Sequence, residues 1–153
     1  MINEKKFGIV FEKNNEKIIP SISLDDVDIV PENINVLLKN AADSYNDSIL
    51  KMKFIVKENI KLRKSKMQVP ARLMWDFGNE IFNLIDKLGE INFRFGNLYQ
   101  SLIRDLSVSD TTLERVITFR RYINDPKLIP ENLKWGQLKG SPKKYINGII
   151  NKQ

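Results

Sequence analysis

The chain has 153 residues, 42% of them apolar and 29% charged, and its 25 Lys plus Arg against 19 Asp plus Glu give a formal charge of +6. That is enough chain, of ordinary globular composition, for one domain-sized core. Cysteine and histidine are both absent, which excludes disulfides, thiolate and imidazole metal sites, cysteine nucleophiles and Ser-His-Asp triads, and leaves carboxylate, lysine, arginine, tyrosine and hydroxyl chemistry.

Met1 to Lys6 form a charge cluster followed only by the short apolar stretch Phe7 to Phe11. Nothing there resembles the apolar region of a signal peptide, and no run approaches the ~18 apolar residues of a membrane span, so a cytoplasmic location is expected. Residues 5–24 alternate through Phe7, Ile9 and Phe11, turn at Asn14-Asn15 and enter a second β-branched stretch; a small hairpin is predicted. Asp25, Asp26 and Asp28 follow. With no matching acidic or lysine motif nearby, they read as a solvated loop rather than a Mg²⁺ site.

From Pro31 or Glu32, Ile34, Leu37, Leu38, Ala41, Ala42 and Tyr45 recur at helical spacing, with Pro31 suited to a first helical position. The helix either breaks near Asp47-Ser48, with Ser48 as a new N-cap, or runs on to about Met67. Ile49, Met52, Ile55, Val56, Ile60 and Leu62 share one arc, while Lys53, Lys57, Lys61 and Lys64 share another. Like charges four apart cost an isolated helix about 0.2–0.5 kcal/mol per pair, a penalty that a phosphate partner would reverse. A solvated face in a lysine-rich chain explains the stripe equally well, and an anionic lipid surface explains it less well. A second helix is expected from Ala71 to Leu88, with Leu73, Phe77, Ile81, Leu84, Ile85 and Leu88 inward and Gly89 as terminator. After a short connection over Ile91 to Gly96, a third helix spans about Asn97 to Leu106, with Leu98, Leu102, Ile103 and Leu106 inward.

Ser107 to Asp110 join this helix to another, Asp110 to about Ile123, with Ser109 as N-cap and Asn124-Asp125-Pro126 as the stop. A short helix, a tight turn and a longer helix have the spacing of a helix-turn-helix. On the second helix Leu113, Val116, Ile117 and Phe119 form the packing side, and Thr111, Glu114, Arg115, Thr118, Arg121 and Tyr122 form the outer one. Those hydroxyls and guanidiniums suit phosphates and base edges. Five of the seven arginines (Arg94, Arg104, Arg115, Arg120, Arg121) fall within 28 residues of a lysine-preferring chain, a signal for an anionic partner. Leu133 to Lys144 combine turn residues with Lys134, Lys139, Lys143 and Lys144, as a wing or backbone-contacting arm would. Trp135, between Leu133 and Leu138, reads as core rather than as a stacking platform.

The stretch from about Arg72 to Lys139 resembles the helical amino-terminal domain of YhcG-like nucleases of the PD-(D/E)XK superfamily. The resemblance rests on Trp75-Asp-Phe-Gly78, on Phe95-Gly96 with Leu102 and Leu106, on Val108-Ser109-Asp-Thr-Thr112-Leu113-Glu-Arg-Val116-Ile-Thr-Phe119, and on Leu133-Lys-Trp135. It implies a winged-helix-like module that binds DNA, in mobile-element or defence settings. Two departures stand out. The positions after the N-cap serine, commonly basic in that family, are Asp110-Thr111-Thr112, and its usual histidine after the tryptophan is Gln137. The nuclease chemistry needs an Asp and, on a later strand, Glu-x-Lys to hold Mg²⁺ and position water. The one Glu-x-Lys, Glu4-Lys5-Lys6, has no Asp before it, so no enzyme and no cofactor or metal are expected.

The sequence therefore predicts a mainly α protein with a small N-terminal β-hairpin and a helix-turn-helix, winged-helix-like C-terminal half. The expected organisation is a hairpin and loop over 1–30, a long basic amphipathic helix region over 31–69 and a DNA-binding domain over 70–153. The expected partner is double-stranded DNA. Ser109, Thr111, Thr112, Arg115, Thr118, Arg121 and Tyr122 would meet bases or phosphates, and Arg94, Lys139, Lys143, Lys144, Lys53, Lys57, Lys61 and Lys64 the backbone. The alternative is a helical interaction module that pairs with a nuclease or regulator, or with a second copy through the 32–67 region, where Met52, Phe54 and Met67 lie near the surface. RNA is a third option, though the aromatic strand motifs of common single-strand binders are lacking.

Overall fold

The computed structural model describes residues 7–15, 17–22 and 32–138. The chain is mainly α with one small sheet, and it divides into two compact units, residues 1–50 with 82–107, and residues 51–81 with 108–153.

In the first unit the expected hairpin forms from β1 (Phe7–Asn14) and β2 (Lys17–Ile22), paired antiparallel from Ile9↔Ile22 to Asn14↔Lys17. Asn15 takes the left-handed conformation (φ 48°) that the two-residue turn requires and that asparagine tolerates. Phe93–Phe95, expected as a connection, is a third strand, β3, parallel to β1 in the order β2-β1-β3. Gly96 follows because its N–H reaches the Ile9 carbonyl at 2.7 Å and a Cβ there would stand 3.0 Å from that oxygen. The Asn97 side chain continues the ladder, accepting from the Phe11 N–H and donating to the Phe11 carbonyl, each at 3.2 Å. Ile9 and Phe11 are buried, with Phe11 stacked on Tyr45 at 4.3 Å and tilted against Phe95 at 5.2 Å.

The long helix α1 (Ile34–Lys64) is unbroken and begins three residues beyond Pro31, which lies outside the described residues. Ser48, weighed as a second N-cap, is instead buried inside the helix. Tyr45 before it and Ile49, Met52 and Ile55 after it are all buried, and packing at that density overrides a local breaker signal. Met52, expected near the surface, is fully buried; Phe54 and Met67 are exposed. The helix ends in a Schellman motif, with Lys66 at φ 58°, Met67 N–H on the Leu62 carbonyl at 2.8 Å and Lys66 N–H on the Arg63 carbonyl at 3.1 Å. Helix α2 (Ala71–Glu90) passes through Gly89; the left-handed residue that ends it is Asn92, φ 68°. Helix α3 (Leu98–Leu106) completes the first unit and buries Ser101, Leu102 and Leu106.

The second unit holds the C-terminal part of α1, the first half of α2 and helix α4 (Asp110–Tyr122), whose Leu113, Val116, Ile117 and Phe119 are buried as the pattern requires. Gly78 allows α2 and α4 to touch, since a Cβ there would lie 2.5 Å from the Val116 carbonyl and 2.8 Å from the Arg120 Cβ. Trp75 donates its indole N–H to the Ile123 carbonyl at 2.8 Å. Trp135 is buried against Phe119, 5.7 Å between rings, which makes it core. The stretch read as a wing forms, over its described part, an antiparallel bridge from Lys134 to Pro70 and one helical turn, α5 (Trp135–Leu138). Lys139, Lys143, Lys144 and the acidic trio Asp25, Asp26 and Asp28 lie outside the described residues. The two units divide α1 and α2 each in two, and α3 and α4 belong to different units.

Candidate functional site

The second unit contains a cleft of about 630 Å³ built from three distant segments. The end of α1 supplies Asn59 and Arg63, the start of α4 supplies Thr112 and Arg115, the residue before α5 supplies Lys134, and α5 itself supplies Gln137. Backbone bonds from Ala71 N–H to the Leu133 carbonyl (2.9 Å) and from Trp135 N–H to the Val69 carbonyl (2.7 Å) hold the third segment against the α1–α2 connection. Ser109 fixes the helix start, its hydroxyl accepting from the Thr112 N–H at 3.2 Å and donating to the Thr112 hydroxyl at 3.0 Å. Lys134 is oriented from its backbone, where its N–H donates to Gln137 Oε1 at 2.9 Å.

Three cations and no carboxylate line this cleft. Asn59 donates to the Met74 sulfur at 3.3 Å, while its own carbonyl oxygen is buried with no partner among the described residues, an acceptor that a donor on water or a ligand would satisfy. The arrangement suits an anion carrying hydrogen-bonding groups. Among the described residues no three acidic side chains gather as a metal site would require, and no helix is long and apolar enough to cross a membrane.

The predicted residues divide. Thr111, Arg121 and Tyr122 are exposed on α4, and Arg115 and Thr118 are half-buried. At about 100° per residue, Asp110 and Glu114 stand on the same side of α4 as Arg121, while Arg115 lies about 120° away, at the edge that borders the cleft. The part of the face around Arg121 thus carries two carboxylates against one guanidinium, a net charge of −1, and Arg115 is the cation that joins the cleft. Two of the clustered arginines have internal duties. Arg120 donates to Asn79 at 2.9 Å and lies over the Trp75 ring at 5.2 Å. Arg104 holds Asp105 through two bonds, at 2.8 and 3.0 Å, and donates to the Phe11 carbonyl at 3.2 Å. Arg94 is exposed on β3 in the first unit. Lys53, Lys57, Lys61 and Lys64 are all exposed, but Lys57, two residues before Asn59, points about 160° around α1 from it, so the lysine stripe and the cleft occupy opposite faces of the helix.

Asn59, Arg63, Lys134 and Gln68, which also lines the cleft, were not among the expected contacts. No local pattern marks them, because the cleft exists only once residues near 60, 112 and 134 are joined. No protein-family model, curated protein or solved structure matches the chain.

Proposed function

We propose that the chain binds double-stranded DNA through its second unit, with backbone phosphate at the cleft and the adjoining edge of α4 against the duplex. The observation that carries the reading is the convergence of Arg63, Arg115 and Lys134 on one cleft with no acidic side chain lining it. Guanidinium groups supply planar paired donors for phosphate oxygens and the lysine a point charge. Since Asp110 and Glu114 offset the charge around Arg121, affinity comes from phosphate contacts, and base readout is limited to Thr111, Thr118 and Arg115.

Titration of a labelled duplex by fluorescence anisotropy at several salt concentrations tests this. Three phosphate contacts give a slope of log K against log salt between about −2 and −3, and each of Arg63→Ala, Arg115→Ala and Lys134→Ala lowers its magnitude by about one. Absence of binding at low salt, or a triple variant that binds like the parent, refutes the proposal. A second reading, a helical interaction module, is favoured by a separate observation: Leu50 and Phe54 on α1 each expose 66% of their surface.

A further inference from the structure

The outward face of α1 carries an ordered series. Asp43, Asp47, Leu50, Phe54, Lys57 and Lys61 are all exposed, and their spacings of four, three, four, three and four are those of a heptad seam, which keeps them on one stripe of a single continuous helix. Along that stripe the chemistry runs acid, acid, apolar, apolar, base, base. The series is complementary to its own reverse. An antiparallel copy centred on position 52 sets Leu50 against Phe54, Asp47 against Lys57 and Asp43 against Lys61, and the two-fold axis repeats each pair. A parallel copy in register would instead oppose like charges at Asp43, Asp47, Lys57 and Lys61.

We propose that a second copy of the chain covers this face, through an antiparallel α1–α1 contact in that register. The contact is isologous, as two-fold dimers require. Its core is a cluster of two leucines and two phenylalanines that are otherwise largely in water, flanked by four Asp–Lys pairs. The seam spans about 27 Å of helix, which places it at the small, weak end of specific interfaces. Lys51 and Lys53 flank the two-fold axis beside their own copies and oppose association, so the dimer is concentration-dependent. The proposal does not rest on DNA binding, and it gives Lys57 and Lys61 a different counter-charge from phosphate.

Charge reversal tests the register. The parent chain is run by analytical ultracentrifugation from about 5 µM to about 1 mM, beside D43K/D47K, K57D/K61D and their equimolar mixture, with circular dichroism confirming helix content. The parent is expected to dimerise. Each variant alone faces like charges along its seam and its dimer dissociation constant rises at least about tenfold, while the mixture restores opposite charges at every pair and associates. Because the chain has no cysteine, an L50C chain mixed with an F54C chain reports the register as a mixed disulfide formed in preference to either self-disulfide. A parent that stays monomeric throughout overturns the proposal, as does a reversal variant that dimerises like the parent, a mixture that stays monomeric, or self-disulfides in preference to the mixed one. A monomeric parent whose duplex binding is lost in K57D/K61D would assign the face to a polyanion instead.

Discussion

At the scale of single residues, the most constrained polar group is Asp105 in the first unit. It is nearly fully buried at the side chain, receives two bonds from Arg104 and accepts the hydroxyl of the buried Tyr45. Burial alone would push its carboxyl up, but the hydrogen bonds from Arg104 and Tyr45, with the charges of Arg104 and Lys13, outweigh burial and hold it below the usual carboxylate range. Tyr45 moves the opposite way: burial, then the bond to Asp105 and its negative charge, raise its hydroxyl above the ordinary value. A carboxyl depressed in the folded state binds protons less readily there than when unfolded. Its stabilisation is therefore present above about pH 4 and is lost as the pH falls through the folded-state value. Urea denaturation between neutral pH and about pH 3 should show this fall, and Asp105→Asn should flatten it while lowering neutral-pH stability. Tyr45→Phe keeps the ring stack on Phe11 but leaves the carboxylate one donor short, at a cost of about 1–3 kcal/mol. If Asp105→Asn left the acid limb of the profile unchanged, the stabilising role of this cluster would be wrong.

At the scale of elements, the features that depend on near neighbours could be read from the sequence. The hairpin followed from the alternation of Phe7, Ile9 and Phe11 and from Asn15, although Asn14, expected in the turn, is the last paired residue of β1, and α4 followed from Ser109 and its apolar spacing; Trp135 followed from its flanking leucines. Features set by distant partners could not. Phe93–Phe95 is too short to show a period and becomes a strand because β1 offers an edge, and Ser48 lies within a helix because its neighbours are buried on both sides. Helix ends were misjudged where a non-glycine residue took the left-handed conformation, as Asn92 does in place of Gly89 and Lys66 does at the end of α1. A lysine at φ 58° pays the Cβ clash of the left-handed region in full, whereas glycine does not. Lys66→Gly should raise stability by about 0.5–1 kcal/mol in thermal or urea melts, less the entropy glycine gains when unfolded. A destabilisation would mean the lysine side chain contributes at that turn.

At the scale of the whole molecule, the charge map located the basic segments but not the surfaces they form. Lys57 and Arg63 sit six residues apart in one basic run, yet Arg63 lines the cleft while Lys57 belongs to the outward stripe. Arginine clustering overstated the anion-binding surface, because Arg104 and Arg120 are engaged within the fold. Two surfaces on opposite faces of α1 should be separable by mutation, and the separation is cleanest with substitutions chosen to isolate each effect. L50Q/F54Q leaves the net charge unchanged and removes only exposed apolar groups, so stability should stay within about 0.5 kcal/mol of the parent. It should abolish self-association while duplex affinity and salt slope, measured at protein concentrations too low for dimer to form, stay as in the parent. R63Q/R115Q/K134Q should do the reverse, losing duplex binding with the dimer intact. Loss of both properties in either variant would show one shared surface, which the placement of Lys57 about 160° from Asn59 around α1 does not allow.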